Sequence, residues 1–175
     1  MPALPDVVVM IGMPGVGKTT VGSALAQRLG WRFVDTDDVV AAATGRAVAE
    51  IIASDGIDSF RSAERTAVAA LRSLDGDAVV AVGGGAVLDF DNRAAIAGLG
   101  RVVWLRARRA TLLTHIAGDD VERPLLSGDA DAAIDRLLDE RSELYAALAT
   151  TVVDVDDRLP DDAANEVALA LRASP

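Results

Sequence analysis

Five short apolar runs recur along the chain, at 7–11 (VVVMI), 31–34 (WRFV), 78–82 (AVVAV), 101–105 (RVVWL) and 151–155 (TVVDV). Their length and β-branched content predict buried strands. The stretches between them read as helical, over 19–29, 38–43, 48–53, 57–74, 92–97, 109–115, 130–149 and 161–172. Strands alternating with helices predict an α/β fold, a five-stranded parallel sheet flanked by helices. No repeat, low-complexity tract or long linker divides the chain, so 1–175 reads as a single domain. The stretch 117–131 is polar and punctuated by glycine and proline. It is either a surface connection or a mobile lid.

Two helices carry charge in positions that matter. In the helix from Ile57, the apolar phase runs through Phe60, Ala63, Ala67 and Leu71, with Arg61 and Glu64 three apart, so Glu64 can hold Arg61 in one orientation. Taken alone, such a pair belongs on a surface. In the helix over 130–149, the apolar stripe is Ile134, Leu137, Leu138, Leu144, Tyr145 and Leu148, and the position that continues it in the middle is Arg141. A guanidinium on an inward phase needs an anionic partner or an exit to solvent. An internal aspartate or an anionic substrate would each serve.

Composition narrows the field of partners. The chain is 51% hydrophobic but only 3% aromatic, with a formal net charge of −10. A nucleic acid or an anionic membrane is therefore not an expected partner, and phosphate would have to be bound by a local device. With no cysteine, neither a disulfide framework nor a thiolate metal site is available. The first apolar run is too short for a membrane span, and no basic segment precedes it. The expectation is a cytoplasmic protein. Arginines outnumber lysines sixteen to one, which makes the position of the single lysine, Lys18, informative.

That lysine completes Gly12-Met13-Pro14-Gly15-Val16-Gly17-Lys18-Thr19, a match to G-x-x-x-x-G-K-[ST] lying between a predicted strand and a predicted helix. Glycines let such a loop curl until successive N–H groups face phosphate oxygens, and the helix N-terminus adds partial positive charge. Lys18 would reach the β/γ-phosphates, and the Thr19 hydroxyl could ligate Mg2+. The expected ligand is a nucleoside triphosphate.

The second metal carboxylate is less plainly marked. Strand 78–82 ends in Gly83-Gly84-Gly85 with no acid, which leaves Asp35 after strand 31–34, or Asp154 and Asp156 near 151–155. Asp35 is the better candidate. In Asp35-Thr36-Asp37-Asp38, Asp37 and Asp38 could also cap the following helix. The glycine triplet sits where α/β proteins bind ligands, at the C-terminal end of a strand. Arg123, in the 117–131 stretch, could fold over a transferring phosphate.

Taken together, these elements resemble the shikimate kinases. The phosphate loop at 12–19, Asp35-Thr36-Asp37, Phe60-Arg61 with Glu64, Gly83–Gly85, Arg123-Pro124-Leu125-Leu126, and Arg141 ahead of Leu144-Tyr145 occur in that family's order and approximate spacing. The resemblance implies a P-loop fold of the nucleoside-monophosphate-kinase kind. It also implies transfer of the γ-phosphoryl group of MgATP to the 3-hydroxyl of shikimate, on the route to chorismate and the aromatic amino acids, by a monomer. ATP would lie against Gly12, Gly15, Val16, Gly17, Lys18, Thr19 and Thr20, with Arg123 closing from a lid at about 117–131. Thr19 and, through water, Asp35 would hold Mg2+. Asp37, Arg61, Gly83, Gly84, Gly85 and Arg141 would bind shikimate, the two arginines gripping its carboxylate. Lys18, Asp37 and Arg123 would be the catalytic residues. The chain departs from the family at Leu113-Thr114-His115-Ile116, where an arginine usually packs on adenine, and at Ile52, where an aromatic residue often lines the acceptor pocket. His115 is not expected to be a ligand. Gluconate kinases, nucleoside monophosphate kinases and a regulator without catalysis are the competing readings. The first would bring a further lysine, the second a longer arginine-rich insert, and the third fits poorly with intact Lys18, Asp37 and Arg123.

Overall fold

The computed structural model describes residues 6–118, 126 and 128–173. Five strands, β1 (Val7–Ile11), β2 (Arg32–Asp35), β3 (Ala78–Ala81), β4 (Arg101–Arg106) and β5 (Thr151–Asp154), form one sheet in the order β2-β3-β1-β4-β5. Every pairing is parallel, with Val9 opposite Val80 on one side and opposite Val102 on the other. Helices fill the connections: α1 (Lys18–Leu29), α2 (Thr36–Thr44), α3 (Val48–Asp55), α4 (Ile57–Ala70), α5 (Phe90–Leu99), α6 (Arg109–Ala117), α7 (Ala130–Leu148) and α8 (Pro160–Ala173). All five residues of β1 are buried, as expected of a central strand covered by helices on both faces.

The strand order changes direction at β1, whose neighbours β3 and β4 both follow it in sequence. Such a switch point opens a crevice at the carboxyl ends of the strands. The loops that leave β1, β2 and β3 all emerge there. A second, smaller core of Val40, Ile51, Phe60 and Ala67 binds α2, α3 and α4 to one another beside that crevice.

Element boundaries depart from the sequence reading where local chemistry decides them. Helix α2 starts at Thr36, not at Asp38, because Asp35 is its N-cap and accepts from the Asp37 N–H at 3.0 Å. Neither Asp37 nor Asp38 is the cap. The predicted helix 57–74 is α-helical only to Ala70 and then tightens into a 3-10 turn, Leu71–Ser73. The short predicted helix 92–97 is longer, because Asp89 caps it through the Asn92 N–H. Of the stretch 117–131, residues 119–125 and 127 lie outside the described residues, so the lid is not described here.

Candidate active site

The phosphate loop leaves the central strand and turns into α1 within six residues, through Gly12, Gly15 and Gly17 at φ of 145°, 80° and 103°. Left-handed backbone of that kind suits glycine alone. A side chain at Gly12 would also meet the Leu105 carbonyl at 2.5 Å. Carbonyls of the loop are taken up by side chains. The Lys18 ammonium donates to Gly12 O at 2.9 Å and Met13 O at 3.0 Å, and Gly15 O lies 2.9 Å from Nδ1 of His115. With these carbonyls engaged, the loop can present N–H groups to an anion.

Beside the start of α1, the Thr19 hydroxyl donates to Asp35 Oδ2 at 2.7 Å. Asp35 thus serves α2 with one oxygen and Thr19 with the other. A hydroxyl and a carboxylate side by side at the phosphate loop are hard oxygen donors of the kind Mg2+ takes. Among the described residues, no group of three or more His, Cys, Asp or Glu side chains makes a closed metal cage. The residues therefore fit an ion whose other ligands are phosphate and water. Asp154 and Asp156 are committed elsewhere. Asp154 pairs with Arg106 at 2.6 Å, and Asp156 accepts from the Arg108 N–H and the Thr111 hydroxyl.

Asp37 stands in the first turn of α2 and lines the open cleft. Burial against the cleft walls raises its pKa above the ordinary carboxylate range. The Asp35 charge raises it further, and Lys18 opposes both. A carboxyl poised in this way is a better proton acceptor than a free aspartate.

Across the cleft, α4 delivers Arg61, which donates to Glu64 Oε2 at 2.7 Å. This is no surface pair, because Glu64 is 1% exposed and, among the described residues, its Oε1 has no hydrogen-bond partner. Burial raises the Glu64 pKa, with Arg61 opposing the shift. A Cβ at Gly83 would lie 2.5 Å from Glu64 Oε1, and one at Gly85 would overlap the Arg61 guanidinium. These two glycines make room for the ion pair. The Gly83 N–H already donates to the Thr36 hydroxyl at 3.1 Å, so Gly83 contributes space to the cleft, not that donor. Gly84 sits on the phosphate loop itself, where a Cβ would be 3.1 Å from Gly12 O.

Arg141 points inward, as its helical phase predicts, and is 2% exposed. Among the described residues its ion pair is Nε to Glu140, its sequence neighbour, at 3.2 Å, the guanidinium also meets the Tyr145 hydroxyl, and Nη1 is left without a hydrogen-bond partner. One turn on, the buried Tyr145 hydroxyl donates to Gly84 O at 2.6 Å.

One cleft of about 1180 Å3 takes in nearly all these groups. That exceeds an ordinary single-ligand pocket, roughly 300–1,000 Å3, and suits two substrates side by side. Gly15 through Thr20, Asp35, Asp37, Arg61, Glu64, Gly83–Gly85 and Arg141 line it, with Ile52 and Val48 as an apolar wall. Gly12 sits behind the loop, outside that lining. The cleft is also lined by His115 and Gly118 from the α6 side, by Arg158 and Leu159 ahead of α8, and by Pro160 at its start. Thr36, Tyr145, His115 and Arg158–Pro160 were not picked out as site residues by the sequence. Arg123 lies outside the described residues.

The family model for shikimate kinase matches residues 14–172. A shikimate kinase of Thermobifida fusca is 45% identical over 167 residues, covering 95% of each chain. One of Salinispora arenicola is 46% identical over 168 residues, covering 95% of this chain and 98% of that protein. Among solved structures, shikimate kinase from Acinetobacter baumannii in complex with shikimate superposes with a TM-score of 0.91 at 29% identity, covering 97% of this chain and 94% of that one.

Proposed function

The chain belongs to the shikimate kinase family, and from that premise we propose that it transfers the γ-phosphoryl group of MgATP to the 3-hydroxyl of shikimate, giving shikimate 3-phosphate and ADP. The observation that carries this reading is a single cleft with a phosphate loop at one wall and a buried, incompletely paired Arg141 at the other. One wall suits a triphosphate, and the other suits a small carboxylate.

In this reading the phosphates lie on the N–H groups of the loop and at the N-terminus of α1. Lys18 exchanges the carbonyls of Gly12 and Met13 for phosphate oxygens. Thr19 and, through water, Asp35 would hold Mg2+, which would supply positive charge to offset that of the phosphates. Arg61, braced by Glu64, and Arg141 grip the acceptor carboxylate in bidentate fashion. Asp37 takes the proton of the attacking hydroxyl, its raised pKa matched to that task. The resemblance in sequence supports Arg123 as the residue that closes over the transferring group. We assign the enzyme to the cytoplasm as a monomer. No helix among the described residues is long and apolar enough to cross a membrane.

ADP release, coupled to a dehydrogenase read-out, tests the reading across shikimate, quinate, gluconate and nucleoside monophosphates. Shikimate should give the highest kcat/KM by at least an order of magnitude. Turnover of gluconate or a nucleoside monophosphate in preference to shikimate would replace the reading.

A further inference from the structure

Peptide geometry turns one buried hydroxyl into a specificity device. The Gly84 carbonyl and the Gly85 N–H belong to one peptide, and in a planar trans peptide the two point in opposite directions. Whatever holds the carbonyl aims the amide. That carbonyl is held by Tyr145, whose hydroxyl donates to it at 2.6 Å from a side chain only 1% exposed. Burial pushes the phenol up to about 12, so it remains a donor across the working pH range. The ring is packed against Trp104, at a centroid separation of 5.8 Å.

Three other polar groups of the triplet are already engaged. Gly83 N–H goes to Thr36, itself fully buried, and Gly83 O accepts from the Ala86 N–H at 3.0 Å. Gly85 O accepts from the Leu88 N–H at 3.1 Å. Among the described residues, neither the Gly84 nor the Gly85 N–H donates a hydrogen bond. A Cβ at Gly84 would lie 2.9 Å from Pro14 Cδ and 3.1 Å from Gly12 O, so the triplet runs close against the phosphate loop. Two unengaged donors therefore remain on a cleft-lining loop whose orientation is set from behind.

We infer that Tyr145 is a positioning residue for the acceptor: it holds the Gly84 carbonyl and so aims the Gly85 N–H at an oxygen of the bound hydroxy acid. The inference rests on the acceptor reading given under Proposed function. It adds that α7 serves the same ligand twice, directly through Arg141 and, one turn later, through a peptide that Tyr145 orients.

Tyr145→Phe removes one oxygen, which meets both Gly84 O and the Arg141 guanidinium, and keeps the ring on Trp104, so the Gly85 amide is the readout that belongs to the peptide alone. The KM for shikimate should rise about tenfold, the worth of one well-aimed hydrogen bond to an anion, with the KM for ATP within twofold of wild type. In the ligand-free protein, 15N relaxation should show the Gly85 amide order parameter falling from about 0.85, the rigid value, to below about 0.6. A lower melting temperature with both KM values and the Gly85 order parameter unchanged would make the hydroxyl a packing feature and overturn the inference. Wild-type protein that does not phosphorylate shikimate would overturn the acceptor reading instead, while the relaxation measurement would still decide whether Tyr145 fixes the peptide.

Discussion

Replacing Arg141 by leucine separates a structural guanidinium from a ligand-binding one. A buried charge that completes an internal pair is expensive to remove, about 3–5 kcal/mol, because its partner is stranded. Here the paired carboxylate is Glu140, whose side chain is 47% exposed and can return to water, Nη1 has no hydrogen-bond partner among the described residues, and the Tyr145 hydroxyl that Arg141 meets keeps its bond to Gly84 O. Leucine at 141 also continues the stripe of Ile134, Leu137, Leu138 and Tyr145. The change in stability should therefore stay within about 1 kcal/mol, or roughly 2–4 °C of melting temperature for a chain of this size. Binding should change far more. A carboxylate paired in a largely desolvated site loses about 2–5 kcal/mol when its guanidinium is removed, roughly 30- to 4,000-fold in kcat/KM. Most of that loss should appear in the KM for shikimate, and the preference over an analogue lacking the carboxylate should collapse. Thermal melts and acceptor kinetics on the one variant give both numbers. A fall in melting temperature of about 10 °C or more, with the acceptor preference intact, would refute the reasoning.

Lys18→Ala should abolish turnover with the melting temperature nearly unchanged, since the side chain serves loop carbonyls and phosphate, not the core; activity within tenfold of wild type would be fatal to the phosphate-loop assignment. Asp37→Asn should lower kcat by roughly 10²–10⁴ if the carboxylate takes the proton, and wild-type kcat/KM should fall with acid through a pKa above the usual aspartate range. Stability should move the other way. The folded-state pKa values of Asp37 and Glu64 are raised, so their contribution is present below the unfolded carboxylate pKa and lost as pH rises through the folded values. Asp37→Asn should therefore melt higher than wild type at neutral pH and no higher at pH 3, and a lower melt at neutral pH would contradict the burial argument. Arg123→Ala should lower kcat by roughly 10³–10⁵-fold while weakening ATP binding far less, as measured by nucleotide titration against turnover.

Much of this was legible because parallel strands buried on both faces must read as runs of valine, as β1, β3 and β4 do. Strands β2 and β5, expected to be buried as well, lie at the sheet edges and are mostly half-buried or exposed. The phosphate loop was legible because its chemistry needs a fixed spacing between a strand and a helix. Arg141 declared itself by helical phase alone. Glu64 did not: a pair three residues apart looks like a surface feature until Gly83 closes over the carboxylate. Nor could three acids in four residues reveal that Asp35 both caps α2 and accepts from Thr19, since capping depends on backbone angles the sequence leaves open. Tyr145 was hidden in an apolar stripe, where only the fold brings its hydroxyl to Gly84, 61 residues away. The contact of His115 with Gly15 spans 100 residues and carries no periodic signal.

The most direct test of the central claim is identification of the product. Purified protein incubated with ATP, Mg2+ and shikimate should consume the two substrates one for one. A 31P–1H correlation spectrum should then couple the new phosphate to the proton on the carbon bearing the 3-hydroxyl, with little ADP formed when shikimate is omitted. ADP released at the same rate with and without shikimate, or phosphate appearing only as the free inorganic ion, would contradict it.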